Sequence, residues 1–124
     1  MATWSTDELD KIGNAEELQF ASMRDDGTLR KRVIIWVVRV GDEIYIRPVN
    51  GREGWFRGVA DQHKGRIWAG GVEKDVHFIE VNTNEAVHEQ IDSEYWSKYE
   101  HLSQYVPPVV TEKSKAATLK LEPR

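Results

Sequence analysis

The segment TLRKRVIIWVVRVGDEIYIRPV, residues 28–49, constrains the fold more than any other part of the chain. β-Branched and aromatic residues dominate it, as in a strand. Ile34, Trp36 and Val38 point one way, and Val33, Ile35 and Val37 the other, so both faces are apolar. A strand covered on both faces belongs in a barrel or a sandwiched sheet. Gly41 and Asp42 then turn the chain into a second strand that alternates, with Ile44 and Ile46 inward and Glu43, Tyr45 and Arg47 on the opposite face. Together the two strands predict a β-hairpin.

The flanks supply further elements. Ser5 to Glu8 (STDE) has the form of a capping box and predicts a short helix that Gly13 ends; NAEE, Asn14–Glu17, predicts a second short turn. Leu18–Met23 reads as a strand closed by the turn DDG, Asp25–Gly27. Trp55, Phe56, Val59, Ala60 and His63 fall on one face of a short helix. GRIWAGG and VEKDVHFIEVN predict a strand pair joined at Gly70 and Gly71, and the shift of apolar positions between Phe78 and Ile79 predicts a bulge. NTNE, Asn82–Glu85, caps a longer helix with Val87, Ile91, Tyr95, Tyr99 and Leu102 along one stripe; VPPVV breaks it. Leu119 and Leu121 alternate in a last short strand. Tight turns between consecutive strands imply an antiparallel sheet. The expected architecture is mainly β (α+β): one domain over residues 1–124, a small barrel of about six strands with peripheral helices.

Composition narrows the function. The 124 residues are 40% apolar and 31% charged, as in a globular domain long enough to bury a core. No cysteine is present, which removes disulfides, thiolate metal sites and a cysteine nucleophile. The N-terminus lacks the pattern of a signal peptide, and the apolar run Val33–Val38 is too short to span a bilayer. We therefore expect a cytoplasmic protein without a membrane partner. A net charge of -4 argues against a nucleic-acid partner. His63, His77, His88 and His101 lack zinc-site spacing, so no metal is expected. No Gly-x-Ser-x-Gly elbow is present to support a hydrolase.

One stretch does suggest chemistry. In RPVNGREGWFRG, residues 47–58, a strand end leads through Gly51 and Gly54 to a helix start, and Arg47, Arg52 and Arg57 recur every five residues. Arg57 falls in the first helical turn, where free backbone N–H groups favour an anion. Glycines allow close backbone approach, and arginine forks match phosphate or carboxylate. Arg30 and Arg32, on the neighbouring strand, join the same rim in this reading. The alternative is a solvated basic loop paired with Glu53 and Asp61. Tyr45 and His63 are the only residues suggested for proton chemistry.

The order G-T-L-R-x-R-V-x-I-W-V-V-R-V-G-D-x-I-Y-I-R, followed by G-W-F-R and G-R-I-x-A-G-G, resembles a small bacterial family known only as a domain of unknown function. The resemblance runs from Trp4 to the terminal TLKLEPR. That family is similar in turn to the deazaflavin-dependent nitroreductases and the FMN-binding split β-barrel proteins. The resemblance implies a split barrel, a homodimer, and FMN or a deazaflavin as small-molecule cofactor, with oxidoreductase chemistry. It implies that Arg30, Arg32 and Arg47 lie on cofactor-facing strands, that Asn50 and Gly51 approach by backbone, that Trp55 anchors the helix, and that Arg57 lies near the phosphate. Where the deazaflavin enzymes carry an asparagine, this chain has Arg57 and Gly58. The other reading is a dimeric barrel without cofactor, with a binding or structural role.

Overall fold

The computed structural model describes residues 3–51, 54 and 56–124. The chain opens with α1 (Thr6–Asn14), and its capping box forms as expected: Ser5 Oγ accepts from the Glu8 N–H while Glu8 Oε1 accepts from the Ser5 N–H. Leu9 and Ile12 on its inner face join Trp4 in the core, and the Trp4 indole N–H donates to the Leu121 carbonyl at 2.9 Å. The second turn expected at Asn14–Glu17 does not form. Asn14 ends α1, and Glu17 already opens a strand.

Seven antiparallel strands make one sheet: β1 (Glu17–Ser22), β2 (Val33–Trp36), β3 (Val38–Val40), β4 (Glu43–Ile46), β5 (Lys64–Ala69), β6 (Val72–Glu80) and β7 (Leu119–Pro123). Their order is β2-β1-β5-β6-β7-β4-β3. The two edge strands are thus the two halves of one stretch, 33–40, broken at Val37. A sheet whose opposite edges are covalently continuous must curl round on itself, and this makes a nearly closed barrel. The extra strand over the six expected comes from this division. Val33 to Trp36 pair with β1, and Val38 to Val40 pair with β4. β7 is no peripheral addition; it lies between β6 and β4 and completes the wall.

The division of faces follows the alternation. Val37, Ile44 and Ile46 enter the barrel core with Leu18, Phe20, Ile67, Val76, Phe78, Leu119 and Leu121, and Val33 and Ile35 pack against it. Val38 and Tyr45 point outward into a second core under α3 (Val87–Lys98), made with Ile91, Tyr95, Tyr99, Val106 and Val109. The expected stripe holds from Val87 to Tyr99 and stops before Leu102, because the chain tightens into 3-10 turns at Glu100–Tyr105 and Pro107–Val109. The Asn82 N–H donates to Glu85 Oε2 and Asn82 Oδ1 accepts from the Asn84 N–H, yet the helix begins only at Val87. The expected bulge in β6 is absent: its pairing with β7 is continuous from Val76 to Glu80. Ile79 is simply exposed, and Val81 lies beyond the strand in the second core. The remaining helices are α2 (Phe56–Gln62) and α4 (Glu112–Lys115).

Candidate functional site

The hairpin β3–β4 is paired only from Val38↔Tyr45 outward. Continuing that register would set Trp36 opposite Arg47 and Ile34 opposite Val49. The pairing ends there for a local reason: Pro48 has no N–H to donate, and residues 47–51 turn away. Their turn closes with the Gly51 N–H on the Pro48 carbonyl at 3.3 Å. β2 therefore has β1 on one side and an open edge on the other. The gap between that edge and Arg47, Val49, Gly54, Arg57 and Gly58 is the split of the barrel.

Two hollows lie along this split. One, about 440 Å³, is lined by Phe20, Ser22, Arg30, Lys31, Val33, Gly54, Arg57 and Gly58. Among the described residues that line it are three cations and no carboxylate. The other, about 430 Å³, is lined mainly by apolar groups, among them Ile34, Ile35, Trp36, Val49, Tyr105 and Val109. Val33 belongs to the first and its neighbours Ile34 to Trp36 to the second, so the hollows are successive along β2. At about 3.3 Å per strand residue, they adjoin within roughly 10 Å.

The basic end is built by two local structures. The hairpin joining β1 to β2 is held by Asp26, whose carboxylate accepts from the Thr28 N–H and hydroxyl. Those bonds hold the Asp26 carboxyl below its usual range. The Arg30 N–H donates to the Ser22 carbonyl at 2.8 Å, which fixes where the Arg30 side chain starts. Opposite, α2 buries Phe56 and Val59 and is tied to the turn by Gln62 Nε2 donating to Asp25.

Of the residues singled out from sequence, the structure brings Arg30 and Arg57 together here. Arg32 lies elsewhere: its guanidinium stacks 3.7 Å from the Trp68 ring centre, outside the barrel, and reaches Gln19. Asn50 is exposed in its turn. Gly51, with φ 64°, is pressed against the chain itself, since a Cβ there would lie 2.6 Å from Lys113 Cγ. Trp55, Arg52 and Glu53 lie outside the described residues.

Arg47 is wholly buried. Its Nε donates to Thr118 Oγ1, one terminal nitrogen to Asp92 and the Val109 carbonyl, the other to His88 Nδ1 and the His88 carbonyl. His88 Nε2 faces the Asn82 carbonyl, which can only accept, so the ring proton sits there and Nδ1 receives Arg47. Ser114 Oγ also donates to the Pro48 carbonyl. Arg47 therefore pins the wall of the split to α3, to the turn at Val109 and to Thr118 just before β7, while Ser114 ties Pro48 to α4. Tyr45 lies in the second core, where burial raises its hydroxyl pKa, and His63 Nε2 pairs with Glu80 outside both hollows.

Sequence reasoning missed Ser22, Lys31 and the apolar hollow. Lys31 carried a signal in the run Arg-Lys-Arg, 30–32. The apolar hollow could not be assembled from sequence, because its members come from Glu17 in β1, from β2, from Arg47 and Val49 and from residues 105–109.

An antiparallel seven-stranded barrel left open beside one edge strand is a split β-barrel. The family model described as "Uncharacterized protein conserved in bacteria (DUF2255)" matches residues 8–121, and the chain belongs to that family. No curated protein sequence matches it. The fold is similar to the solved heme storage protein HutZ of Vibrio cholerae, with a TM-score of 0.67 at 11% identity, covering 93% of this chain and 86% of that one. It is also similar to a FAD-binding protein of Mesorhizobium loti, with a TM-score of 0.55 at 15% identity, covering 96% and 88%. An F420 reductase matches with a TM-score of 0.54 at 14% identity, covering 94% and 92%.

Proposed function

We propose that this chain binds a flavin-type cofactor, FMN or a deazaflavin, along the split. The observation that carries the reading is the succession of a three-cation hollow and an apolar hollow on one strand edge. Such a site matches a molecule with an anionic phosphate at one end and a flat ring at the other. Arg30, Lys31 and Arg57 would hold the phosphate, and Ile34, Trp36 and Val49 the ring. The names of the similar structures, a FAD-binding protein and an F420 reductase, support this reading.

Heme fits less well. Among the described lining residues only Tyr105 offers an axial ligand, and no histidine lines either hollow. Groups of three or more metal-ligating side chains are absent among the described residues.

When bound, the cofactor would supply hydride chemistry; the protein binds, orients and excludes water. Exposed Ile34, Val49 and Tyr105, at 62%, 55% and 59%, flank the mouth of the apolar hollow, which supports pairing of two copies across it. The test is thermal stability of the purified protein with added FMN or deazaflavin. A rise in midpoint that saturates with one of them is expected. No shift with either leaves the dimeric barrel without cofactor as the better reading.

A further inference from the structure

Gly58 stands inside α2, where glycine costs helix stability relative to alanine. The space a side chain would take is filled. A Cβ at Gly58 would lie 2.8 Å from Arg30 Nε, 3.0 Å from Arg30 Cδ and 3.1 Å from Ser22 Oγ. The stem of Arg30 thus crosses α2 through the gap that the missing methyl leaves. Ser22 beneath it is buried, and its carbonyl holds the Arg30 backbone.

We propose that Gly58 is a positioning residue for the anion end of the split, setting where Arg30 lies and so the preference for a phosphorylated over an unphosphorylated flavin. The inference rests on the flavin-type reading above. Its physical core is a difference in stiffness. The two shortest contacts are with the arginine side chain rather than with backbone, and a side chain gives way at lower cost than backbone. A methyl at Gly58 would therefore move the guanidinium rather than unfold the helix, and the helix itself favours alanine. The glycine is a local cost to α2 with a consequence in the cleft.

FMN and riboflavin carry the same ring and differ by the phosphate, so their affinity ratio reports the anion end alone. Dissociation constants for both are measured on the wild type, Gly58→Ala, Arg30→Ala and the double variant, with the urea unfolding midpoint of each. Wild type is expected to prefer FMN. Gly58→Ala should weaken FMN about tenfold, the scale of a displaced charge-assisted contact, and leave riboflavin within about twofold. Its unfolding midpoint should not fall, and the double variant should bind FMN no more weakly than Arg30→Ala. An unchanged FMN-to-riboflavin ratio, an equal loss for both ligands, or a lowered midpoint in Gly58→Ala overturns the proposal while leaving the cofactor reading intact. Wild type that binds neither FMN nor riboflavin overturns this proposal, and overturns the cofactor reading as well when deazaflavin also gives no thermal shift.

Discussion

Arg47 and Arg57 look alike in the sequence, yet the structure gives them opposite roles. Arg57 lies at a cleft that faces solvent, where removing it should leave the fold intact. If the phosphate sits there, Arg57→Ala should weaken FMN by about 1.5–3 kcal/mol in a fluorescence titration, the scale of a hydrogen bond to a charged group. Unchanged affinity would move the phosphate elsewhere. Arg47 is enclosed, and its partners lie on three other segments. Arg47→Met should cost about 3–5 kcal/mol in urea unfolding, because Asp92, His88 and Thr118 lose their common partner. A cost under 1 kcal/mol would show that water replaces the guanidinium freely. The sequence showed that Arg47 shares a face with Tyr45. It did not show whether that face meets water or a second core, since His88 and Asp92 lie some forty residues away.

At the scale of elements, the break at Val37 decides the architecture. Leaving one strand pair for another strands the Val37 backbone groups, and buried groups of this kind need partners. Tyr99 Oη accepts the Val37 N–H at 3.1 Å and donates to the Glu16 carbonyl at 2.6 Å. Lys98 Nζ donates to the Val37 carbonyl at 2.6 Å. Tyr99 also stacks on Trp36, with ring centres 3.9 Å apart. Tyr99→Phe keeps the stacking and removes the acceptor, so it should destabilise by about 1–3 kcal/mol. Burial lowers the Lys98 pKa to about 8, against the opposing pull of Glu16 and Glu94. The unfolded chain keeps that proton to about pH 10.4, so between about 8 and 10.4 it binds more protons than the folded one. The Lys98 contribution to stability therefore rises with pH across that window. Unfolding midpoints of wild type measured against Lys98→Met from pH 7.5 to 10 should show the wild type gaining; a parallel pair of curves would contradict it. The strands themselves were legible because alternation and turn residues are local. The break was not, because nothing between Val33 and Val40 marks it; the partners that stabilise it come from α3.

For the whole molecule, curling the sheet until its edges meet at Val37 leaves one strand edge open, and the cationic and apolar hollows both lie on it. The antiparallel barrel was readable from hairpin spacing, and so was the basic character of the segment 47–58. The order of the strands was not: β7 enters the middle of the sheet from the far end of the sequence, and the apolar hollow is completed by the turns after α3. The central claim is that this open edge is one binding site with two chemically distinct ends. Titrating the protein into FMN and following flavin fluorescence tests it most directly, since Trp36 lines the ring end and should quench a flavin seated there. The account predicts saturable quenching, lost on Trp36→Phe without loss of binding, and weakened binding in Arg30→Ala. Binding with quenching that Trp36→Phe leaves unchanged, or no saturable signal with either FMN or a deazaflavin, would contradict it.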